Sequence, residues 1–330
     1  MDAPWSSGIA SIPILEATKL ISKDALETEK LLRACQTQGF FYLSLAEDST
    51  SFMIEAWEAM LMFMNRYFDQ SLEEKMKDSR KSDTHGYEPV GTSGGAIKSS
   101  LDHYESLKIS LQECQHRSRE LAPALQENIE LLSTFIGCAH MLTIVILERL
   151  TAALGCSIPL ASYHDSSRES TSTLAMFRYP QQTAQQAQNG IGHNKHTDIG
   201  TLTFLACQQW GLQVLTPGVR GFQWVEPKSN HVIINVGDSL RFLSGNKLLS
   251  AVHRVLPQGG YQQEHRHSIA YFLRPADDAI YHDVNGRLVT AKKWHDEKFN
   301  HFRATHATQN LDVILTGGME YQDNIIAAPQ

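Results

Sequence analysis

Residues 196–205 are His-Thr-Asp-Ile-Gly-Thr-Leu-Thr-Phe-Leu, a polar start followed by a largely apolar run. In an extended segment, side chains two residues apart point to the same face. His196 and Asp198 can therefore reach a single metal ion from one strand end. His253 lies 55 residues after Asp198 and can approach the same ion from a second strand. The stretch thus predicts a β-strand that carries part of a metal site.

Two imidazoles and one carboxylate on one side of an ion form the facial triad of non-haem Fe(II) oxygenases. This arrangement leaves coordination positions open, so that O2 and a substrate or cosubstrate can both bind. A His-x-Asp pair alone is weak evidence, because a chain with 15 histidines can carry such a pair on its surface by chance. The assignment therefore depends on the sequence around the pair.

Composition excludes several classes of function. Of the 330 residues, 42% are hydrophobic and 20% charged, as in an ordinary soluble protein. A net charge of −7 without a Lys/Arg cluster argues against nucleic-acid binding. We expect no secretory signal and no membrane span, since the longest strongly apolar stretch, 141–147, is short. Five scattered cysteines without a CxxC motif predict a reducing, cytoplasmic compartment.

The apolar pattern around the metal stretch predicts a mainly β core with flanking helices. Short apolar runs between turns predict strands at 174–179, 201–206, 212–215, 232–236, 240–243, 251–256 and 268–273. The N-terminal pattern predicts strands at 12–15 and 40–43, helices at 24–38, 52–68 and 124–154, and a loop at 82–100. A last helix is predicted at 294–306. We divide this one compact unit into an N-terminal region 1–120, a supporting helix 121–165, a metal-binding core 166–275 and a C-terminal helical extension 276–330.

Further motifs in a fixed order give the metal stretch a specific context. After it come Gly-Leu-Gln-Val at 211–214, Trp-Val-Glu-Pro at 224–227, Asn-Val-Gly-Asp at 235–238, Ser-Ala-Val-His-Arg-Val at 250–255 and Arg-His-Ser at 266–268. Before it come Ile-Pro at 12–13, Ala-Cys at 34–35, Gly-Phe-Phe-Tyr at 39–42 and His-Gly-Tyr-Glu-Pro at 85–89. Over residues 12–275 this order resembles the isopenicillin N synthase-like Fe(II)/2-oxoglutarate-dependent dioxygenases, in particular their fungal natural-product members.

The resemblance implies a double-stranded β-helix core, the jelly-roll of cupin-like proteins. It implies Fe(II) as the metal, held by His196, Asp198 and His253, with 2-oxoglutarate and O2 as cosubstrates. It further implies that Arg266 and Ser268 bind a carboxylate, which suits the planar fork of a guanidinium and a hydroxyl on one strand face. The family tyrosine that often contacts the cosubstrate corresponds here to Tyr179.

One departure from the family concerns spacing. His253 and Arg266 are 13 residues apart, slightly more than is usual, and we expect an enlarged turn at 258–261 to absorb the difference. If the register slipped instead, Arg254 would be the rival carboxylate binder, although a neighbour of a metal ligand should point away from the metal.

Candidate substrate contacts follow from strand parity and from family positions. Phe177 shares a strand face with Tyr179, and Phe272 shares one with Ser268. Leu205 and Leu212 match family positions near the substrate, and all four apolar side chains would suit core packing equally well. Candidates for a lid, in or after the glycine-rich loop, are Tyr87, Lys98 and His103.

Three other histidines are close to these positions in the sequence. His193, three residues before His196, could be mistaken for a ligand, but on a strand it would face the opposite side, so we expect it to be a loop residue. His265 and His267 flank Arg266 and are expected to face outward.

Three functions remain open from the sequence. The first is a 2-oxoglutarate-dependent oxygenase that hydroxylates, desaturates or rearranges a small organic molecule in secondary-metabolite biosynthesis. The second is an isopenicillin N synthase-type iron oxidase that works without 2-oxoglutarate. The third, a scaffold on an inactive jelly-roll, is disfavoured because the candidate metal and carboxylate residues are all present. The substrate and the oligomeric state are left open.

Overall fold

The computed structural model describes residues 8–47, 50–97, 100–117, 121–309 and 311–319. In this part of the chain the strands are β1 Ile14–Glu16, β2 Phe40–Ser44, β3 Gly86–Glu88, β4 Glu105–Ser110, β5 Thr173–Tyr179, β6 His193–His196, β7 Leu202–Ala206, β8 Leu212–Leu215, β9 Phe222–Trp224, β10 His231–Val236, β11 His253–Val255, β12 Arg266–Leu273, β13 Ile280–His282 and β14 Leu288–Thr290. The helices are α1 Ala17–Ile21, α2 Ala25–Thr37, α3 Ser51–Phe68, α4 Leu72–Met76, α5 Leu111–His116, α6 Pro123–Glu127, α7 Ile129–Leu154, α8 Asp238–Leu243, α9 Ala291–Arg303 and α10 His306–Gln309.

Two sheets pack face to face and form the β core. The larger sheet has eight strands in the order β1-β2-β10-β7-β12-β5-β4-β3, and the smaller has four in the order β6-β11-β8-β9. Apart from β1 with β2, the strand pairings in these sheets are antiparallel. Side chains from both sheets, such as Phe40, Val214 and Ala270, share one apolar cluster. This is the expected jelly-roll architecture.

Side chains along the strands of the larger sheet alternate between the core under the helices and the interior between the two sheets. On β12, Ile269 and Tyr271 belong to the apolar core that the sheet shares with the helices. The intervening Ser268, Ala270 and Phe272 line the interior between the two sheets. Because side chains alternate with a period of two, one strand can stabilise the fold on one face and present polar groups to a cavity on the other.

Local signals account for the helices that cover the large sheet. The Asp24 carboxylate accepts a hydrogen bond of 2.8 Å from the backbone N–H of Glu27 and so caps α2 at the start of the helix predicted at 24–38. Gly155, at φ 64°, ends α7 in the left-handed conformation that favours glycine. The predicted helix at 124–154 is two helices, because the chain leaves helical geometry at Asn128.

Helix α7 is long and apolar enough, by length and composition, to cross a membrane, so the shortness of the stretch 141–147 is not by itself evidence against a span. A core helix of a soluble protein passes the same test. Phe135, Leu142 and Leu147 on α7 are buried and join the core shared with α2, α3 and the large sheet. One face of α7 therefore packs as a core helix does.

Two other predictions are corrected by the structure. Residues 240–243 lie in helix α8 and not in a strand, because Leu240 and Leu243 are three apart and Asp238 stands in the first turn, where a carboxylate favours a helix. Within the predicted loop 82–100, residues of β3 pair with β4 at the edge of the large sheet.

Candidate metal centre and its two cavities

The structure brings His196, Asp198 and His253 together at the open end of the smaller sheet. The Asp198 Oδ1 atom lies 3.5 Å from His196 Nε2 and 3.7 Å from His253 Nε2. One ligand atom from each residue lies within 4.8 Å of the other two. Atoms that each lie about 2.1 Å from a common ion are about 3–4 Å apart, so these three side chains could hold one metal ion.

Strand pairing and hydrogen bonds aim the two imidazoles at this point. His253 on β11 pairs directly with His196 on β6. The Nδ1 of His196 lies 2.7 Å from the carbonyl oxygen of Asn194, and that of His253 lies 3.1 Å from the carbonyl oxygen of Ala251. A carbonyl can only accept a hydrogen bond, so each Nδ1 donates its proton. Each Nε2 then presents a lone pair to the metal position.

The Asp198 carboxylate is fixed through one of its oxygens. Its Oδ2 accepts hydrogen bonds from Thr203 Oγ1 at 2.5 Å and from Asn235 Nδ2 at 2.7 Å. These donors come from β7 and β10 of the larger sheet. They leave Oδ1, which faces the two histidines, available for a metal ion.

Burial and mutual charge set the protonation states that metal binding requires. Burial opposes ionisation of Asp198, but His253, His196 and Asn235 together hold the pKa of its carboxyl well below the ordinary value. Burial, reinforced by His196, lowers the pKa of His253 to about 4. A carboxylate beside a neutral imidazole is therefore present at neutral pH, so neither group must lose a proton to bind a cation.

A buried ion pair ties the metal-bearing segments to the C-terminal helix. Asp238, which is fully buried, accepts a hydrogen bond from Ser250 Oγ at 2.7 Å and forms an ion pair with Lys298 of α9. Lys298 Nζ also donates to Thr197 Oγ1 at 2.6 Å, between two of the candidate ligands. The backbone N–H of Asp238 donates to the carbonyl of Asp198 at 2.8 Å. This network connects the two segments that carry the metal site.

One cavity extends from the candidate metal centre into the jelly-roll interior. Arg266, which is 1% exposed, and Ser268, Tyr179, Leu205 and Leu212 all line it. Arg266 donates through Nε to the Trp210 carbonyl at 2.8 Å and through Nη2 to Cys207 Sγ at 3.1 Å. Its Nη1 is buried without a partner in the described part of the chain. A buried donor of this kind fits a carboxylate ligand.

A second cavity opens beside the same centre. Its described walls come from the large sheet and from helix α9, and they include Tyr104, Lys108, Arg274, Phe299 and Phe302. Five side chains line both cavities, namely Phe177, His193, His196, Asp198 and Phe272. Phe177 and Phe272 thus lie where strand parity predicted them.

The two lid candidates that the structure describes, Tyr87 and His103, do not line these cavities. Tyr87 is 3% exposed in the core beneath the helices, and its hydroxyl donates to Glu105 Oε2 at 2.6 Å. The ring of His103 lies 3.0 Å from the Pro180 carbonyl, outside both cavity walls. Lys98 lies outside the described residues.

The expectation for His193 is wrong. Its ring stacks on that of His196 with centroids 4.7 Å apart, and it lines both cavities. The reason is a register shift between β6 and β11, since His196 pairs with His253 but His193 pairs with Val255. Between these two pairs, β6 advances by three residues while β11 advances by two. This bulge turns the His193 side chain to the same side as that of His196.

The remaining sequence expectations for this region agree with the structure. His265 is exposed, and neither His265 nor His267 lines a cavity. Arg254 points away from the metal position and lies 4.1 Å from the centroid of the Phe222 ring. Residues 258–260 form the extra turn, in which Gly259 and Gly260 have φ values of 76° and 88°.

Some side chains at the site were not identified from the sequence. Asn235 begins one of the motifs at 235–238, so its position could have been noticed. Arg274 continues the alternation of β12 and could have been found by extending the same parity rule. Lys298 and Phe302 reach the site only through the packing of α9, and no local pattern marks them.

Comparisons with known proteins agree with this geometry. Residues 170–275 match the 2OG-Fe(II) oxygenase superfamily, and residues 12–128 match the N-terminal region described as non-haem dioxygenase in morphine synthesis. The chain is 52% identical over 313 residues to the 2-oxoglutarate-dependent dioxygenase frbH of Dothideomycetidae sp. (strain 11243), in an alignment that covers 94% of this chain and 96% of that relative.

Another relative is oxidoreductase vrtI of Penicillium aethiopicum, 50% identical over 319 residues, or 96% of this chain and 76% of the relative. Among solved structures, the dioxygenase for auxin oxidation in rice superposes with a TM-score of 0.66 at 22% identity. That alignment covers 91% of this chain and 99% of the other, and it shows a shared fold.

Proposed function

The chain belongs to the 2OG-Fe(II) oxygenase superfamily, and on this premise we propose that it oxidises an unactivated C–H bond of a small organic molecule in secondary-metabolite biosynthesis. The enzyme uses Fe(II), with 2-oxoglutarate and O2 as cosubstrates. We propose His196, Asp198 and His253 as the metal ligands, and Arg266, Ser268 and Tyr179 as the residues that hold 2-oxoglutarate.

One observation carries the proposal: two separate cavities meet at the candidate metal centre. The inner cavity ends at a buried guanidinium, as a dicarboxylate cosubstrate requires. Aromatic side chains line much of the outer cavity, as in many small-molecule sites. A cosubstrate and a substrate could therefore reach the same ion from different sides.

The inner cavity fits one carboxylate of 2-oxoglutarate at Arg266. The guanidinium lies 4.8 Å from the centroid of the Tyr179 ring, which limits its movement. Gly211 leaves space for it, because a Cβ at this position would lie 2.8 Å from Arg266 Nε. Ser268, two residues further along β12, adds a hydroxyl on the same strand face.

When bound, Fe(II) with 2-oxoglutarate and O2 supplies the oxidation of a C–H bond, coupled to release of succinate and CO2. The protein contributes position and exclusion of water. Asn235 and Thr203 keep Oδ1 of Asp198 directed at the ion, and Phe177 and Phe272 line both cavities beside it. Such placement brings the substrate within reach of the reacting centre and limits unproductive reaction with solvent.

The test is turnover of 2-oxoglutarate by purified protein reconstituted with Fe(II). Succinate should form in the presence of O2, and His253→Ala should lose both succinate formation and high-affinity Fe(II) binding. Consumption of O2 that does not depend on 2-oxoglutarate would favour the iron oxidase alternative. Equal Fe(II) affinity in the wild type and the variant would refute the ligand assignment. Arg168→Ala, which alters an exposed ion pair with Asp278, is the control.

A further inference from the structure

Strand β12 carries a second arginine toward the interior. Arg266, Ser268, Ala270 and Phe272 alternate along its inward face and line the inner cavity. Arg274 follows the strand end in the same alternation and lines the outer cavity. One strand face therefore bears an arginine in each cavity, with Phe272 between them.

The Arg274 guanidinium is buried and only partly satisfied. Arg274 is 7% exposed, and its Nε has no hydrogen-bond partner within the described residues. Nη1 donates to the Thr171 carbonyl, and the guanidinium carbon lies 5.2 Å from the centroid of the Phe272 ring. No ion pair joins it to a carboxylate of residues 8–47, 50–97, 100–117, 121–309 or 311–319. A buried cation without a counterion costs stability, so its retention points to a ligand.

The other buried cations of the outer cavity are already neutralised. Lys108 Nζ lies 2.6 Å from Glu88 Oε2, and Lys298 forms its ion pair with Asp238. Of the other wall carboxylates, Asp198 belongs to the candidate metal centre and Asp83 lies 3.2 Å from the Nε2 of His295. Arg274 is thus the buried wall cation that makes no ion pair with a carboxylate among the described residues.

The local backbone makes room for this arginine. Gly200, in the stretch that follows the candidate ligand Asp198, lies against the Arg274 side chain. A Cβ at Gly200 would lie 2.8 Å from Arg274 Cγ and 2.5 Å from the Leu273 carbonyl oxygen. Burial lowers the pKa of Arg274 to about 10, and Asp83 and Asp198 oppose that effect. The side chain remains a cation at neutral pH.

We propose that Arg274 binds a carboxylate group of the substrate and thereby orients the substrate in the outer cavity. The inference rests on the proposed function and specifies the substrate class as small carboxylic acids with an apolar body. A single guanidinium without an ion-pair partner matches a monoanion, and its planar fork matches a carboxylate. Phe299 and Phe302, on the opposite wall, would contact the apolar part.

Binding of matched probes tests this assignment. The probes are phenylacetate and 3-phenylpropionate, each compared with its primary amide, which has nearly the same shape but no charge. Dissociation constants are measured by ligand-observed NMR on full-length protein loaded with Zn(II) and saturating 2-oxoglutarate. Because 2-oxoglutarate occupies the Arg266 cavity, a bound acid reports on the outer cavity.

We expect at least one acid to bind the wild type about tenfold more tightly than its amide. Arg274→Met should reduce that ratio to about one, and Arg274→Lys should give an intermediate ratio. Arg168→Met removes a cation outside the cavity and should keep the wild-type ratio. If the methionine variant is unstable by thermal denaturation, Arg274→Gln, which keeps a donor for Thr171, replaces it.

Three outcomes overturn the inference: neither acid binds at millimolar concentration, acid and amide bind equally, or the ratio survives in Arg274→Met. Substrate-independent conversion of 2-oxoglutarate to succinate is measured on the same protein preparations reloaded with Fe(II). Wild type and Arg168→Met should show the same rate. If both lack this activity, the proposed function fails, whereas the probe ratios still decide the role of Arg274.

Discussion

Replacement of Asp238 by asparagine tests whether the buried ion pair organises the metal centre. Asp238 is fully buried and Lys298 is 2% exposed, so the variant leaves a buried ammonium without its carboxylate. Breaking such a pair from one side costs about 3–5 kcal/mol. The same change weakens the links to Thr197 and Ser250, which adjoin the two metal-bearing segments.

A double-mutant cycle can separate the energy of the Asp238–Lys298 ion pair from other destabilising effects of each substitution. Lys298→Met alone should cost less than Asp238→Asn, because Arg241 Nη2 remains 3.5 Å from the Asp238 carboxylate. The variant that carries both changes should be more stable than the sum of the single effects predicts, by at least about 1.5 kcal/mol, since it leaves neither charge alone.

The assays are urea unfolding at neutral pH with a chelator present and Fe(II) affinity by competition with a chromogenic chelator. We expect Fe(II) affinity of Asp238→Asn to fall about 10–100-fold, as outer-sphere changes typically cause. Asp283→Asn, at a buried carboxylate in the turn between β13 and β14, should lower stability without changing Fe(II) affinity. A loss below about 1 kcal/mol for Asp238→Asn, or strict additivity in the cycle, would refute the reasoning.

Three further changes test other parts of the site and of the fold. Arg266→Lys should raise the KM for 2-oxoglutarate about 10–100-fold, because an ammonium cannot supply the guanidinium fork. Arg254→Lys should leave this KM unchanged. Steady-state succinate formation measures the KM of both variants. Thr203→Val should lower Fe(II) affinity about tenfold by removing one of the two hydrogen bonds to Oδ2 of Asp198, and unchanged affinity in the chelator competition would contradict this. Burial lowers the pKa of His164 to about 3 from its ordinary 6.5, so the unfolded chain binds more protons between these values. Stability should therefore fall as pH drops from 6.5 toward 3, by about 1.4 kcal/mol per unit from this group, and His164→Gln should have a shallower pH dependence in urea unfolding at pH 7 and pH 5; an equally steep profile would contradict the assignment.

Strand positions in the core could be predicted well because their signal is local. The apolar runs at 174–179 and 212–215 are bounded by turn residues. Strands β5 and β8 begin and end within one residue of these predicted bounds. The error at 240–243 arose because a short apolar run does not distinguish a strand from a helix. Asp238, two residues before this run, starts α8 and belongs to the buried ion-pair network. No local sequence pattern shows that Lys298 would be its partner.

The sequence by itself determined the candidate ligands, the family and the fact that Arg266 and Ser268 share one strand face. These depend on motif order and on the two-residue period of a strand. Only the tertiary structure decided that the β6 bulge turns His193 toward the metal centre. It alone brought α9 from the end of the chain to the cavity wall and left Arg274 without a carboxylate partner among the described residues. Strand pairing and long-range packing bring together residues far apart in the chain, and the charge balance of a cavity follows from which of these neighbours meet.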